Sequence, residues 1–269
     1  MDAPRTGWGG KDRTVTITVG VFGAAGRMGR TVCEAVAGDP ALELVAAVDP
    51  GHDGLEVEGV PVAGGPEALT AAGATVAVDF TEAAAARANL DWCAANGVNA
   101  VVGTTGLTEQ DLDRLRERFT DLGCVVAPNF AIGAVLLMRF AELAAPWFES
   151  AEIIELHHDA KVDAPSGTSI ATARRMAEAS AAWGADPTTA LVLEGARGGH
   201  GPGGIPIHSV RLRGLVAHQE VLLGTTGQVL TLRHDSMDRT SFMPGVLLAV
   251  KAVAGRPGLT VGLDTLLGF

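Results

Sequence analysis

From Thr14 to Phe130 the chain alternates short, almost wholly apolar runs with longer stretches of helical composition. The runs are Ile17–Phe22, Leu44–Val48, Thr75–Val78, Ala100–Val102 and Cys124–Val126. The helical stretches between them are Arg27–Ala37, Glu82–Asn96 and Thr108–Phe119. Runs this apolar leave no wet face, so the alternation predicts a parallel sheet covered by helices on both sides.

After Phe130 the texture changes. A helix is expected over Ala131–Ala145, then a strand at Ala151–His158, a loop at Asp159–Gly167 and a second helix over Thr168–Ala182. A Gly/Pro-rich loop, Gly195–Pro206, precedes alternating segments at Ser209–Arg213, Leu215–Leu223 and Val229–His234, with a hairpin turn at Thr225–Gly227. This pattern predicts an antiparallel or mixed sheet, hence a second, smaller α+β domain. The last apolar helix, Gly245–Ala254, has the texture of the first half and is expected to pack back onto it.

Composition narrows the class. The 269 residues are 47% hydrophobic and 19% charged, which excludes a disordered chain, and the 35 glycines predict many tight turns. A net charge of −11 without a dense Lys/Arg cluster argues against nucleic acid as a partner. No apolar stretch is long enough for a membrane span: the longest, Leu122–Met138, is broken at Pro128–Asn129. Cys33, Cys93 and Cys124 form no CxxC pair, which suits a reducing, cytoplasmic compartment. The polar start, residues 1–13, lacks the apolar core of a signal peptide and reads as a disordered tail. With no tyrosine in the chain, proton transfer must fall to other groups.

The first run ends in Gly23-Ala24-Ala25-Gly26-Arg27-Met28-Gly29 and a helix follows. Small side chains at a strand-to-helix turn let backbone N–H groups and the positive helix end approach a pyrophosphate. Twenty residues after Gly29 comes Asp49, at the end of the second strand, where a dinucleotide site places an acid for the ribose hydroxyls. The spacing is GxxGxxG rather than GxGxxG. An acid there favours NADH by repelling a 2′-phosphate, while Arg27 is placed to offset it, so the cofactor is read as NADH and/or NADPH. Three more strand ends point into the same crevice: Asp79-Phe80-Thr81, Gly103-Thr104-Thr105-Gly106 and Ala127-Pro128-Asn129-Phe130. Gly103–Gly106 is expected to admit the nicotinamide ribose, and Phe130 to abut the ring.

The densest chemistry lies between Glu155 and Thr168. His157 and His158 are adjacent on a strand and so point to opposite faces unless the strand ends there. Lys161 adds a cation, and Ser166-Gly167-Thr168 opens a helix whose N–H groups and hydroxyls form an anion pocket. Metal binding is not indicated, because the histidines lack the i,i+4 helical spacing and no cysteine cluster joins them. Ser166 also lacks the setting of a nucleophile elbow.

The blocks GAAGRMG, VVGTTG, APNF and above all ELHHDAKVDAPSGT resemble the 4-hydroxy-tetrahydrodipicolinate reductase (dihydrodipicolinate reductase) family. The likeness runs from about Val15 to the C-terminus and includes GLVAHQEVLLG and RHDSMDRTSFMPGVLLAV. The resemblance implies an α/β Rossmann-type domain of residues 14–130 plus 241–269. It also implies a smaller α+β domain, residues 131–240, that binds a cyclic dicarboxylate and forms a homotetramer through its sheet. Carried onto matching positions, His157 would donate and accept the proton, Lys161 would donate one, and His158, Ser166, Gly167 and Thr168 would hold the substrate. The nucleotide would lie on Gly23, Ala24, Ala25, Gly26, Arg27, Met28, Asp49, Gly103, Thr104, Thr105, Ala127, Pro128, Asn129 and Phe130. Relatives often carry a basic residue after the second-strand acid, whereas Pro50-Gly51 stands here. Hinges are expected near Asn129–Gly133 and Arg239–Phe242. Two other classes stay open on sequence: another dinucleotide oxidoreductase, such as an amino-acid or semialdehyde dehydrogenase, and a non-catalytic nucleotide sensor, against which the His-His-Lys segment argues.

Overall fold

The first apolar run, β1 (Ile17–Phe22), lies in the middle of an eight-stranded sheet in the computed structural model, which describes residues 16–269. The tail expected over residues 1–13 lies outside the described residues. After β1 come α1 (Arg27–Ala37), β2 (Leu42–Val48), β3 (Glu56–Val57), β4 (Val60–Ala63), α2 (Glu67–Ala71) and β5 (Val76–Asp79). Then follow α3 (Ala83–Ala95), β6 (Asn99–Val102), α4 (Glu109–Arg118) and β7 (Gly123–Val126). The remaining elements are α5 (Ile132–Ala144), β8 (Ser150–His157), α6 (Gly167–Ala179), β9 (Gly199–His200), β10 (Pro206–Arg211), β11 (Ala217–Thr225), β12 (Gln228–Ser236), α7 (Met243–Val253), β13 (Gly258–Val261) and α8 (Asp264–Leu267).

The large sheet has the order β13-β7-β6-β5-β1-β2-β4-β3 and is parallel throughout except for the β3–β4 hairpin. All five apolar runs are strands of it. Helices cover both faces, each through an apolar stripe; α1, for example, buries Gly29, Val32, Cys33 and Val36. Helix α4 starts at a reciprocal cap in which Thr108 and Asp111 bond to each other's backbone N–H. Burial pushes the thiols of Cys33 and Cys93 up to about 12, so they pack as apolar groups rather than react.

Sequence pattern missed β3, β4, β13 and the short helices α2 and α8. These strands lie toward the sheet's edges and carry no sustained apolar run. Val57 and Val60 are joined by Glu58 at φ 50° and Gly59 at φ 76°, a two-residue turn with both φ values positive that lacks the usual Asn-Gly signature.

The second sheet has the order β12-β11-β8-β10-β9; β10 runs parallel to β8 and the other pairs are antiparallel, so it is mixed. Its inner face, with Ile153, Ile207, Val221 and Leu223, packs on Leu137 and Ala141 of α5 and on Ala173 and Met176 of α6. The expected loop Gly195–Pro206 contains β9 and a single 3₁₀ turn at Pro202–Gly204, and β10 begins three residues before the alternation suggested. Helix α6 stops at Ala179 rather than Ala182.

Helix α7 returns to the parallel sheet: Val246, Ala249, Val250 and Val253 share a core with Val19, Val78, Val101 and Val125. The approach is close enough that a Cβ at Gly245 would sit 2.1 Å from the Phe130 carbonyl oxygen. Gly→Ala inside a helix ordinarily stabilises by about 1 kcal/mol. Here the sign should invert: Gly245→Ala is expected to lower stability by about 1–3 kcal/mol through overpacking, read as a lower melting temperature in a circular-dichroism melt.

Candidate active site

The chain builds β2 and β4 on one side of β1 and then crosses to build β5, β6, β7 and β13 on the other. Ligands of open α/β sheets sit beyond the strand ends at such a reversal. The turn after β1 is there, and its three glycines do different things. Gly23 adopts φ 67°, which disfavours an L side chain. A Cβ at Gly29 would lie 2.0 Å from the Gly23 carbonyl oxygen, so Gly29 lets α1 pack onto the turn. Gly26 is the exposed N-cap of α1 and offers no capping side chain, which leaves the positive helix mouth open. Asp49 follows β2 at the rim. Its carboxylate accepts the Ala25 N–H at 3.3 Å and lies 2.9 Å from His52 Nδ1. A glycine-walled helix mouth with an acid beside it fits a dinucleotide.

The neighbouring strand ends differ in part from expectation. Buried Asp79 accepts hydrogen bonds from the Thr81 N–H and hydroxyl, Asn89 and the Thr104 hydroxyl. The Thr104 side chain is therefore committed to the protein interior, while Thr105 is exposed. A Cβ at Gly103 would lie 2.1 Å from Phe80, so this glycine makes room for an aromatic ring. Phe130, expected against the nicotinamide, is only 2% exposed and belongs to the core, tilted against Phe80 at a centroid distance of 5.5 Å. The apolar pull of the α7–sheet core takes Phe130 inward, and Phe80 is the ring nearer the surface.

Between the two sheets lies a cavity of about 180 Å³. Pro128 and Asn129 from the β7–α5 connection line one side, His157, Ser166 and Thr168 the other. It is small beside the ~300–1,000 Å³ clefts that hold drug-sized ligands, which suits a compact one. The Asn129 amide donates to the Thr168 hydroxyl at 3.3 Å, linking the first sheet's edge to the start of α6. His157 Nδ1 is 2.5 Å from Glu155 Oε2, which leaves Nε2 as the ring nitrogen on the cavity side. Burial lowers the His157 pKa; Glu155 opposes this, Lys161 and Arg211 add to it, and the net shift is below the ordinary value. The Ser166 hydroxyl caps α6 by accepting the Ser169 N–H.

Other expected residues stand apart from the cavity. His158 is exposed just past the end of β8, and Gly167 is exposed at the first turn of α6. Lys161 Nζ donates to both oxygens of Asp163 at 2.7 Å. Sequence reasoning missed His218, Gln219 and His234, which line the cavity from β11 and β12. His234 packs so tightly on α5 that a Cβ at Gly133 would meet its ring at 2.5 Å. Their strands were legible, but nothing local told which strand ends would meet His157. Among the described residues, no helix is long and apolar enough to cross a membrane.

Comparison with known proteins finds likeness along nearly the whole chain. Residues 17–130 match the family model for the dihydrodipicolinate reductase N-terminus, and residues 133–267 match the model for its C-terminus. The 4-hydroxy-tetrahydrodipicolinate reductase of Cutibacterium acnes is 54% identical over 259 residues, covering 94% of this chain and 99% of the relative. The enzyme of the same name from Streptomyces coelicolor is 50% identical over 254 residues, 92% of this chain and 96% of the relative. Among solved structures, the dipicolinate-bound dihydrodipicolinate reductase of Paenisporosarcina sp. TG-14 superposes with a TM-score of 0.83 at 42% identity, covering 93% of this chain and 99% of that one. With both halves matched and the fold shared with that structure over nearly the whole chain, the chain belongs to the dihydrodipicolinate reductase family.

Proposed function

We propose that this chain reduces 4-hydroxy-tetrahydrodipicolinate to tetrahydrodipicolinate, a step of diaminopimelate and lysine biosynthesis, using NADH or NADPH. The observation that carries the reading is the cavity that His157, Ser166 and Thr168 share with Pro128 and Asn129 at the edge of the parallel sheet. The relatives of the same name and the dipicolinate-bound neighbour support it.

The residues placed to hold the nucleotide are the turn Gly23–Met28, Asp49, Gly103–Thr105 and Ala127–Asn129. When bound, the reduced nicotinamide would supply a hydride to ring carbon 4 of the substrate once the 4-hydroxyl has left with a neighbouring ring proton as water, so that hydride and one proton account for the product. The chain's own groups handle charge and protons. His157 presents Nε2 to the cavity and delivers the proton that the electron-rich ring needs after reduction. The N-terminus of α6, at Ser166–Thr168, receives one substrate carboxylate. The Lys161 side chain attracts the dianionic substrate against the field of a protein with net charge −11, and exchanges Asp163 for the substrate as it does so. For NADPH, Arg27 is the cation at the helix mouth that balances Asp49.

Residues 14–130 with 241–269 and residues 131–240 act as two bodies in this reading. Closure about 129–133 and 239–242 brings the nucleotide-binding body toward the cavity and the neighbouring His158–Lys161 loop and excludes water. The outer face of the second sheet, with Ile154, Leu156 and Leu222 only half-buried in the single chain, is the surface through which four copies would assemble. Sedimentation should then give four times the mass of the chain, and a monomer would remove that part of the reading.

Two substitutions test the site. His157→Gln should lower kcat by about 10²–10⁴-fold, the usual worth of a positioned proton donor, with NADH affinity unchanged in a fluorescence titration. Because His157 must be protonated to act and its pKa lies below the ordinary ~6.5, kcat/KM should fall as pH rises with an inflection below that value, and the variant should lack this inflection. Gly26→Val should abolish nucleotide binding with the circular-dichroism spectrum retained; normal affinity would dismiss the turn as the phosphate site.

A further inference from the structure

We propose that Glu155 and Arg211 form a positioning pair that selects the tautomer of His157, tunes its proton affinity and anchors the loop carrying Lys161. The inference rests on the reading of His157 as the proton-handling group and extends it to two residues that do not line the cavity.

Glu155 has no exposed surface. It stands two residues before His157 on β8, so both side chains project from the same face. Its carboxylate is met from three directions. Arg211 on β10 donates from both terminal nitrogens, at 2.8 Å to each oxygen. The Ser166 N–H donates at 3.2 Å from the start of α6, and His157 Nδ1 approaches at 2.5 Å. The pairing of β10 with β8 sets Arg211 opposite His157 and Ser209 opposite Glu155, so the sheet itself aims the guanidinium. Arg211 also donates to the Asp163 carbonyl oxygen at 2.6 Å, and the Asp163 carboxylate holds Lys161. One ion pair thus touches the imidazole, the anion-binding helix start and the lysine loop.

Stability alone gives weak reason for such a pair, since apolar residues of the same volume often serve as well in a core. Its chemical effect on His157 is specific. An ionised carboxylate only accepts hydrogen bonds, so the neutral imidazole must carry its proton on Nδ1 and offer Nε2 to the cavity. When Nε2 takes a proton, the Glu155 charge stabilises the imidazolium. The other charged and titratable groups near the ring are Arg211, Lys161 and Asp163, with His218 and His234 across the cavity. Burial tends to raise the Glu155 pKa, but the Arg211 fork, Ser209 and His157 outweigh it, so Glu155 stays ionised when His157 acts.

Glu155→Gln keeps the shape and removes the charge. In the full-length enzyme, the His157 imidazole titration, followed by ¹⁵N-detected NMR and assigned by its loss in His157→Gln, should move down by about one pH unit or more. The fall of kcat/KM with rising pH should move down with it. kcat should drop about 10–100-fold, the loss that a metal-bound histidine suffers when its outer hydrogen-bond partner is removed, while NADH affinity stays unchanged. Arg211→Lys, which keeps the charge but loses the fork, should lower kcat and raise the substrate KM without altering NADH affinity. It also serves if Glu155→Gln fails to fold. An unshifted His157 titration in Glu155→Gln, or in its place an unchanged kcat and KM in Arg211→Lys, overturns the inference. Full turnover by His157→Gln would instead refute the reading of His157 as the proton-handling group, and the NMR shift would still test the pair.

Discussion

A carboxylate sealed from solvent stays ionised only where donors surround it, and the donors around Glu155 come from separate parts of the chain. Arg211 arrives from β10, the Ser166 N–H from the start of α6 and the His157 imidazole from the end of β8 itself. To satisfy that one group, β10 must lie parallel to β8 in the observed register, and α6 must start beside the strand's end. The geometry at the cavity follows: the helix mouth, the imidazole and, through Asp163, the lysine are held in one frame.

The parallel sheet supplies the other half. Its order reverses at β1, so the turns after β1, β5, β6 and β7 share one edge. Asp79 ties two of these turns together by accepting from Thr81 and Thr104. The turn after β7 then hands the chain to α5, and Asn129 reaches across to Thr168. A nucleotide on one side and an anionic ring on the other would meet there, between groups whose positions are set by different sheets. In the proposed function, a protein of net negative charge would draw in a dianion only through local positive groups, chiefly Lys161 and the α6 N-terminus.

Much of the fold could be read along the chain because burial writes itself locally. Strands covered on both faces must be apolar throughout, and β1, β2, β5, β6 and β7 carry that signature. Edge strands such as β13 are only partly covered and need no such run. The turn glycines were visible too, although their separate duties were not: Gly29 is required by a backbone contact to Gly23, and Gly103 by the Phe80 ring. Phe130 was misplaced for a related reason. An aromatic residue at a strand end can face a ligand or the core, and only the return of α7 from over a hundred residues later decides for the core.

The residues around the cavity divide along the same line. His157, Lys161 and the Ser166–Thr168 helix start lie within one short segment, so their types and spacing alone marked them as chemistry-bearing. Arg211, Gln219 and His234 are distant in sequence and carry no local mark; strand pairing brings them to His157 and Glu155. What the sequence determined by itself was the order of the covered strands and the main helices, the glycine turn after β1 and the segment that carries His157 and Lys161, because these depend on neighbours within a few residues. Tertiary structure decided which nitrogen of His157 faces the cavity, which aromatic ring is buried and what holds Lys161. Those outcomes depend on hydrogen bonds and contacts between strands and helices that meet only after the chain has folded.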